Sequence, residues 1–155
     1  MHGGTELALR ADEVVAGLSP GLLCGLALAG ANVPPDEAGR APGILTAEEL
    51  AGLDLSHCEL AVLSACDTNA GTRRAGLGIQ SLQSAVHAAG ARTAITSLWR
   101  VDDAATRRLM ERFYTLLWKE HLTPGEALWR AKLAARTANE PTAAWAGWVL
   151  SESGG

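Results

Sequence analysis

Aromatic side chains are scarce in this chain: Phe, Trp and Tyr make up 5% of its 155 residues, and only one Phe and one Tyr accompany five Trp. A core must therefore be filled by Ala, Leu and Val, and the hydrophobic share of 48% is enough to do so. Basic clusters are missing. The densest is Arg73-Arg74, and the formal net charge is −4, so nucleic-acid binding has no electrostatic support. The three cysteines, Cys24, Cys58 and Cys66, are odd in number and lack CxxC spacing, which excludes a disulfide framework and a zinc site by pattern. That usage fits a reducing compartment and predicts a cytoplasmic protein. No stretch of about twenty residues is free of charges and turn formers, so no membrane span is expected. The N-terminus has no basic start followed by an apolar core, which argues against a secretory signal. Internal repeats and low-complexity tracts are absent, and no metal or organic cofactor is indicated. The length suits one domain.

Around one stretch the rest is organised: Glu59-Leu60-Ala61-Val62-Leu63-Ser64-Ala65-Cys66-Asp67-Thr68. Leu60 to Leu63 is a short apolar run ended by small and polar residues, and it reads as a buried strand. In a parallel α/β sheet such a strand is covered on both faces, and ligands meet its carboxyl end. Cys66 falls just past that end, where an α/β protein keeps its chemistry. The competing reading is a small buried hydrophobe, the usual role of a free cysteine.

The chain upstream opens with a Gly-rich tip, and Ser19-Pro20-Gly21 signals a turn. Leu26 to Ala29 reads as a short strand. Residues 32–43 hold three prolines and two glycines and predict an exposed loop open to proteolytic nicking. Thr46 and Glu49 form a capping-box pattern for a helix over 47–51 that ends at Gly52. After Cys66 comes a Gly- and Arg-containing loop, then a helix over 79–89 closed by Gly90. Thr93 to Leu98 is a second β-run. Asp102 or Asp103 caps a helix to about Lys119 with Ala105, Leu109, Phe113 and Leu116 or Leu117 on its apolar face. Thr123 and Pro124 start another helix. The last β-run is 145–150, and 151–155 reads as a frayed tail. The order β-α-β-α-α-β argues for an α/β sandwich with a mainly parallel sheet.

Ser64-Ala65-Cys66-Asp67-Thr68 resembles the nucleophile motif of the CHAT domain, a caspase-like family of cysteine peptidases. The resemblance continues through 88–92, Ser97-Leu98-Trp99-Arg100-Val101-Asp102-Asp103, 110–114, 124–128 and 145–150, with 25–32 and 43–49 upstream. Each motif alone is weak, but the ordered series is specific. It implies a three-layer caspase-like sandwich and a Cys–His dyad. In the family the histidine sits on a loop after the preceding strand and is followed by glycine, and here only His2-Gly3 has that local form. The implied site is thus Cys66 as nucleophile and His2 as base, with the N–H groups of Gly3 and Cys66 as oxyanion donors. Asp67 could orient the base or a basic substrate side chain, or simply cap its loop. Arg73 and Arg74 could hold an acidic substrate or be solvated. Asp102 and Asp103 also match family positions, but helix capping explains them. The alternative for His2 is that it is merely the second residue of a flexible tail. His57 precedes the strand and should lie at the opposite end of the sheet; His87 and His121 read as helix-surface and helix-end groups.

Two departures from the family pattern bear on the turn and on substrate preference: Asn69 stands where glycine is usual, and Ala75 where an acidic residue is common. The family also carries strands ahead of its histidine, which predicts that residues 1–155 are the C-terminal part of a single CHAT-type domain, with an open edge on the nucleophile strand. The expected function is a caspase-like cysteine endopeptidase acting on a protein or peptide substrate, with a regulatory protein or a complementing chain as partner. The competing function is an inactive interaction module presenting exposed tryptophans. A nucleotide-binding domain is the remote third, because Gly76-Leu77-Gly78 lacks the further glycine at Ser81.

Overall fold

A computed structural model describes residues 22, 24–39, 43–64 and 75–154, and over 75–81 the helical backbone only. Strand β1 (Gly25–Ala27) pairs antiparallel with β2 (Ile44–Thr46), Gly25 opposite Thr46. The sequence pattern gives no strand at β2, because only Ile44 and Leu45 separate Gly43 from the helix cap Thr46. Helix α1 (Ala47–Ala51) forms as its capping box predicts. Thr46 Oγ1 accepts from the Glu49 N–H at 3.2 Å, and Glu49 Oε2 accepts from the Thr46 N–H at 2.8 Å. Gly52 ends the helix. Residues 32–39 are exposed.

A second sheet has the order β3-β4-β5, formed by Leu60–Leu63, Thr93–Ser97 and Trp148–Glu152. Among the described residues, one helix, α2 (Ala75–Ala88), lies between β3 and β4, and those strands run parallel, Leu60 opposite Thr93 and Leu63 opposite Thr96. A helix pair, α3 (Asp103–Lys119) and α4 (Pro124–Thr137), connects β4 to β5. The second helix undoes the reversal made by the first, so β5 returns antiparallel, Ser97 opposite Trp148. The sheet is therefore mixed, with one parallel and one antiparallel pairing, where a mainly parallel sheet was expected; the α/β class stands. Among the described residues β3 pairs on one side only, with β4.

Three boundaries move. Trp145, expected in the last strand, closes the short helix α5 (Thr142–Trp145). Ser151 and Glu152, expected to fray, pair with Ala94 and Thr93 because β4 offers a free edge there. Helix α2 starts at Ala75, ahead of its apolar repeat.

All five residues of β4 are buried, and its alternation divides the core. Ala94 joins Leu50, Leu82, Ala85 and Val86 beneath α1 and α2. Ile95 joins Leu109, Phe113, Ala127, Leu128, Ala131 and Trp148 beneath α3 and α4. On α4 the buried Ala127, Ala131 and Ala135 recur every four residues, and their small side chains bring α4 close to its neighbours. Cys24 and Cys58 are free thiols packed at the margin of the α2-side cluster, the small-hydrophobe role.

Just past α4, Glu140 clamps the helix pair. Its carboxylate, whose side chain is 12% exposed, accepts from Arg112 Nη1 at 2.5 Å and lies 3.5 Å from Arg108 Nη2. The Arg112 hydrogen bond holds its pKa below the ordinary value of 4.5. A carboxyl with a depressed folded pKa stabilises the fold above the ordinary pKa, and that contribution disappears as pH falls through the folded value. Glu140→Gln should cost about 1 kcal/mol at neutral pH, because both arginines keep partial solvent access and water screens the pair. The stability gap between wild type and Glu140→Gln in urea melts should close below about pH 4.5. A gap independent of pH would show that the carboxylate charge contributes nothing.

Candidate active site

Parallel pairing puts the carboxyl ends of β3 and β4 side by side. Ser64 is the first residue past β3 and is exposed; Ser97 is the last residue of β4 and is buried. Extending the register one step brings Ser64 level with Ser97, which is itself opposite Trp148, so these three residues form a row across the sheet end. By strand alternation Ser64 and Ser97 lie on the same face as Val62 and Ile95, the α3–α4 side.

The segment from Ser97 to Asp102 is tied down at Ser97, Leu98, Trp99 and Asp102. Ser97 Oγ donates to the Trp99 carbonyl at 2.6 Å, and the Leu98 N–H donates to the Gly147 carbonyl at 2.9 Å. Trp99 Nε1 donates to the Ala143 carbonyl at 2.8 Å while its ring lies against Gly147, where a Cβ would sit 2.6 Å from ring carbon Cε2. Asp102 is the N-cap of α3, its Oδ2 accepting from the Ala105 N–H at 2.9 Å. This is the capping role the sequence allowed for it. Beneath the sheet, Gln83 Nε2 donates to Thr96 Oγ1 at 2.7 Å and ties α2 to the same end of β4.

These elements enclose a recess of about 210 Å³, lined by Ser64, Ser97, Arg100, Val101, Asp103, Thr106 and Trp148. It is smaller than the roughly 300–1,000 Å³ of a small-molecule pocket, and suits a single side chain.

His2, Gly3, Cys66 and Asp67, with Arg73 and Arg74, lie outside the described residues. Cys66 follows Ser64 by two residues in the sequence. The described histidines stand elsewhere. His57 is exposed ahead of β3, on the amino side of the sheet, as the strand geometry predicted. His87, on α2, has both ring nitrogens engaged: Nδ1 is 2.9 Å from the Ala91 carbonyl and Nε2 is 2.8 Å from Ser151 Oγ. The carbonyl can only accept, so Nδ1 carries a proton and the ring bridges α2 to β5 near the amino end of β4. His121 adopts φ 55° in the link between α3 and α4, a full helix length from the recess.

The sequence reading quoted the 97–103 segment but gave no role to Ser64, Ser97, Arg100 or Thr106. Their signal was positional, since all follow the carboxyl ends of β-runs or open the next helix. Of the five tryptophans, core packing is the expectation for Trp99 and Trp148; Trp148 is 1% exposed and fits it, whereas Trp99 is 40% exposed and does not. Among the described residues no group of three His, Cys, Asp or Glu could hold a metal ion, and no helix is long and apolar enough to cross a membrane.

Comparison with curated proteins returns no match. A family model described as the CHAT domain matches residues 14–153. The matched span includes Cys66 and the recess and begins after His2. Most of the chain, in the order its motifs occur, is accounted for by that match: the chain belongs to the CHAT-domain family, a caspase-like family.

Proposed function

We propose that the chain is a caspase-like cysteine endopeptidase domain, a three-layer sandwich in which Cys66 is the nucleophile and His2 the base. The supporting observation is that the family match covers Cys66, which follows the carboxyl end of the parallel strand β3 by three residues in the sequence. The Cys66 thiol passes its proton to His2, and the thiolate attacks a peptide carbonyl carbon. The N–H groups of Gly3 and Cys66 stabilise the oxyanion. The tetrahedral adduct collapses to a thioester as the C–N bond breaks, and His2 returns the proton to the leaving amine. Water then hydrolyses the thioester and frees the thiol.

The test is peptide-resolved alkylation of Cys66 against pH by mass spectrometry, with Cys24 and Cys58 as internal references. Fast alkylation well below pH 8.5, abolished in His2→Ala, is the expected result. Slow alkylation unchanged by the substitution would remove the dyad. That outcome would leave the interaction module, which one observation favours: Trp118 and Trp129, on α3 and α4, are 67% and 61% exposed.

A further inference from the structure

We infer that the groove between α4 and β5 binds a small apolar carboxylic acid, with its hydrocarbon body against Trp129 and Leu133 and its carboxylate at Lys132 and Arg136. The inference goes beyond the peptidase reading and holds whether or not Cys66 is a nucleophile.

Aromatic residues are scarce in the chain, yet three of its five tryptophans, Trp129, Trp145 and Trp148, line this groove. Its volume of about 400 Å³ falls within the range of small-molecule sites, which are mostly apolar and carry a few polar groups. On α4, Trp129, Lys132, Leu133 and Arg136 stand at i, i+3, i+4 and i+7 and so share one face. Trp129 is 61% exposed and Leu133 is 42% exposed. An apolar body laid along them would take that surface out of water. Parts of the wall are fixed before anything binds. Trp145 Nε1 donates to the Glu140 carbonyl at 3.2 Å, and Lys132 Nζ donates to the Trp148 carbonyl at 2.8 Å and to the Ala146 carbonyl at 3.3 Å.

The charge of the lining selects the head group. Lys132 and Arg136 line the groove, and no acidic residue among the described ones does. Neither cation forms an ion pair among the described residues. Burial pushes the Lys132 ammonium below its ordinary value of 10.5, because it has lost water and its partners are neutral carbonyls. An ammonium has three donors; the two carbonyls take two, and one is left for a carboxylate. The Arg136 guanidinium can add a bidentate pair. A cationic occupant would face both charges, and a neutral one would leave both unpaired.

The test is a titration of the full chain, read at the assigned Trp129 indole N–H resonance by ¹H–¹⁵N NMR at fixed ionic strength. The probe is octanoate, kept below the concentration at which it forms micelles, with octanol, octylammonium, acetate and acetyl-leucyl-leucine as comparisons. A saturable shift with octanoate is expected, with an affinity about tenfold weaker for octanol, which lacks the charge-assisted bonds. Acetate and octylammonium should give no shift. Arg136→Gln, at an exposed position of α4, should weaken octanoate about threefold without disturbing the fold. No shift with octanoate, an equal affinity for octanol, or binding of octylammonium would overturn the carboxylate assignment. An equal response to acetate would overturn the apolar body. A tighter response to acetyl-leucyl-leucine would overturn the free acid and point to a protein C-terminus. A shift that follows protein concentration with no probe present would show a second copy covering the groove, and would overturn the site as well. No arm of this titration reads Cys66, so its failure and the failure of the alkylation test are separate results.

Discussion

Phe113→Ala should destabilise the protein by about 3–5 kcal/mol, the cost of emptying an aromatic site in a packed core. Phe113 is fully buried at the centre of α3, among Ile95, Leu109, Leu128 and Trp148, and meets Tyr114 edge-on with ring centroids 5.0 Å apart. Elsewhere this core is made largely of alanine and branched aliphatics, and α4 faces α3 with Ala127 and Ala131, which have no side-chain length to close the gap. A domain is stable by about 5–15 kcal/mol, so the variant should show a strongly lowered urea midpoint with an unchanged slope. Trp118→Ala, on the same helix, is the control. Trp118 stacks on Tyr114 at 4.5 Å but is mostly exposed, and its loss should stay within about 0.5 kcal/mol. Comparable losses from both variants would mean that the core does not depend on Phe113.

Gly147→Ala should displace Trp99 from its place against the strand end. A single added carbon would stand 2.6 Å from the indole, whose N–H is already committed to the Ala143 carbonyl. The ring must move, and overpacking of this kind costs about 1–3 kcal/mol. The expected readout is lost hydrogen-exchange protection of the Trp99 indole N–H. A double-mutant cycle separates this cause from a backbone effect at position 147. With Trp99→Ala already present, adding Gly147→Ala should cost almost nothing. Additive costs would mean that glycine is required there for some reason other than the indole.

The helices were legible because each signal was local. Thr46 with Glu49, Asp102 and Thr123 all act as the N-caps their sequence positions suggested. The strand ending before Cys66 and the fully buried β4 were legible as short apolar runs. What was hidden depends on partners remote in sequence. The strand β5 extends to Glu152 only because β4 presents an edge, and its antiparallel direction follows from two connecting helices rather than from its own residues. The recess was hidden for the same reason: Ser64, Arg100 and Trp148 belong to three segments, and nothing in any of them reveals that they share a wall.

The pairing of β4 also sets an order of events during synthesis. One edge of the strand meets β3, which has been made earlier; the other waits for residues 148–152, beyond three helices. At roughly 5–20 residues per second, that edge stays unpaired on the order of seconds while α3 and α4 are being made. During that interval the amides of Thr-Ala-Ile-Thr-Ser are open to any neighbouring chain. Nascent chains stalled before Trp148 should therefore be the aggregation-prone species, and those that have cleared Glu152 should not.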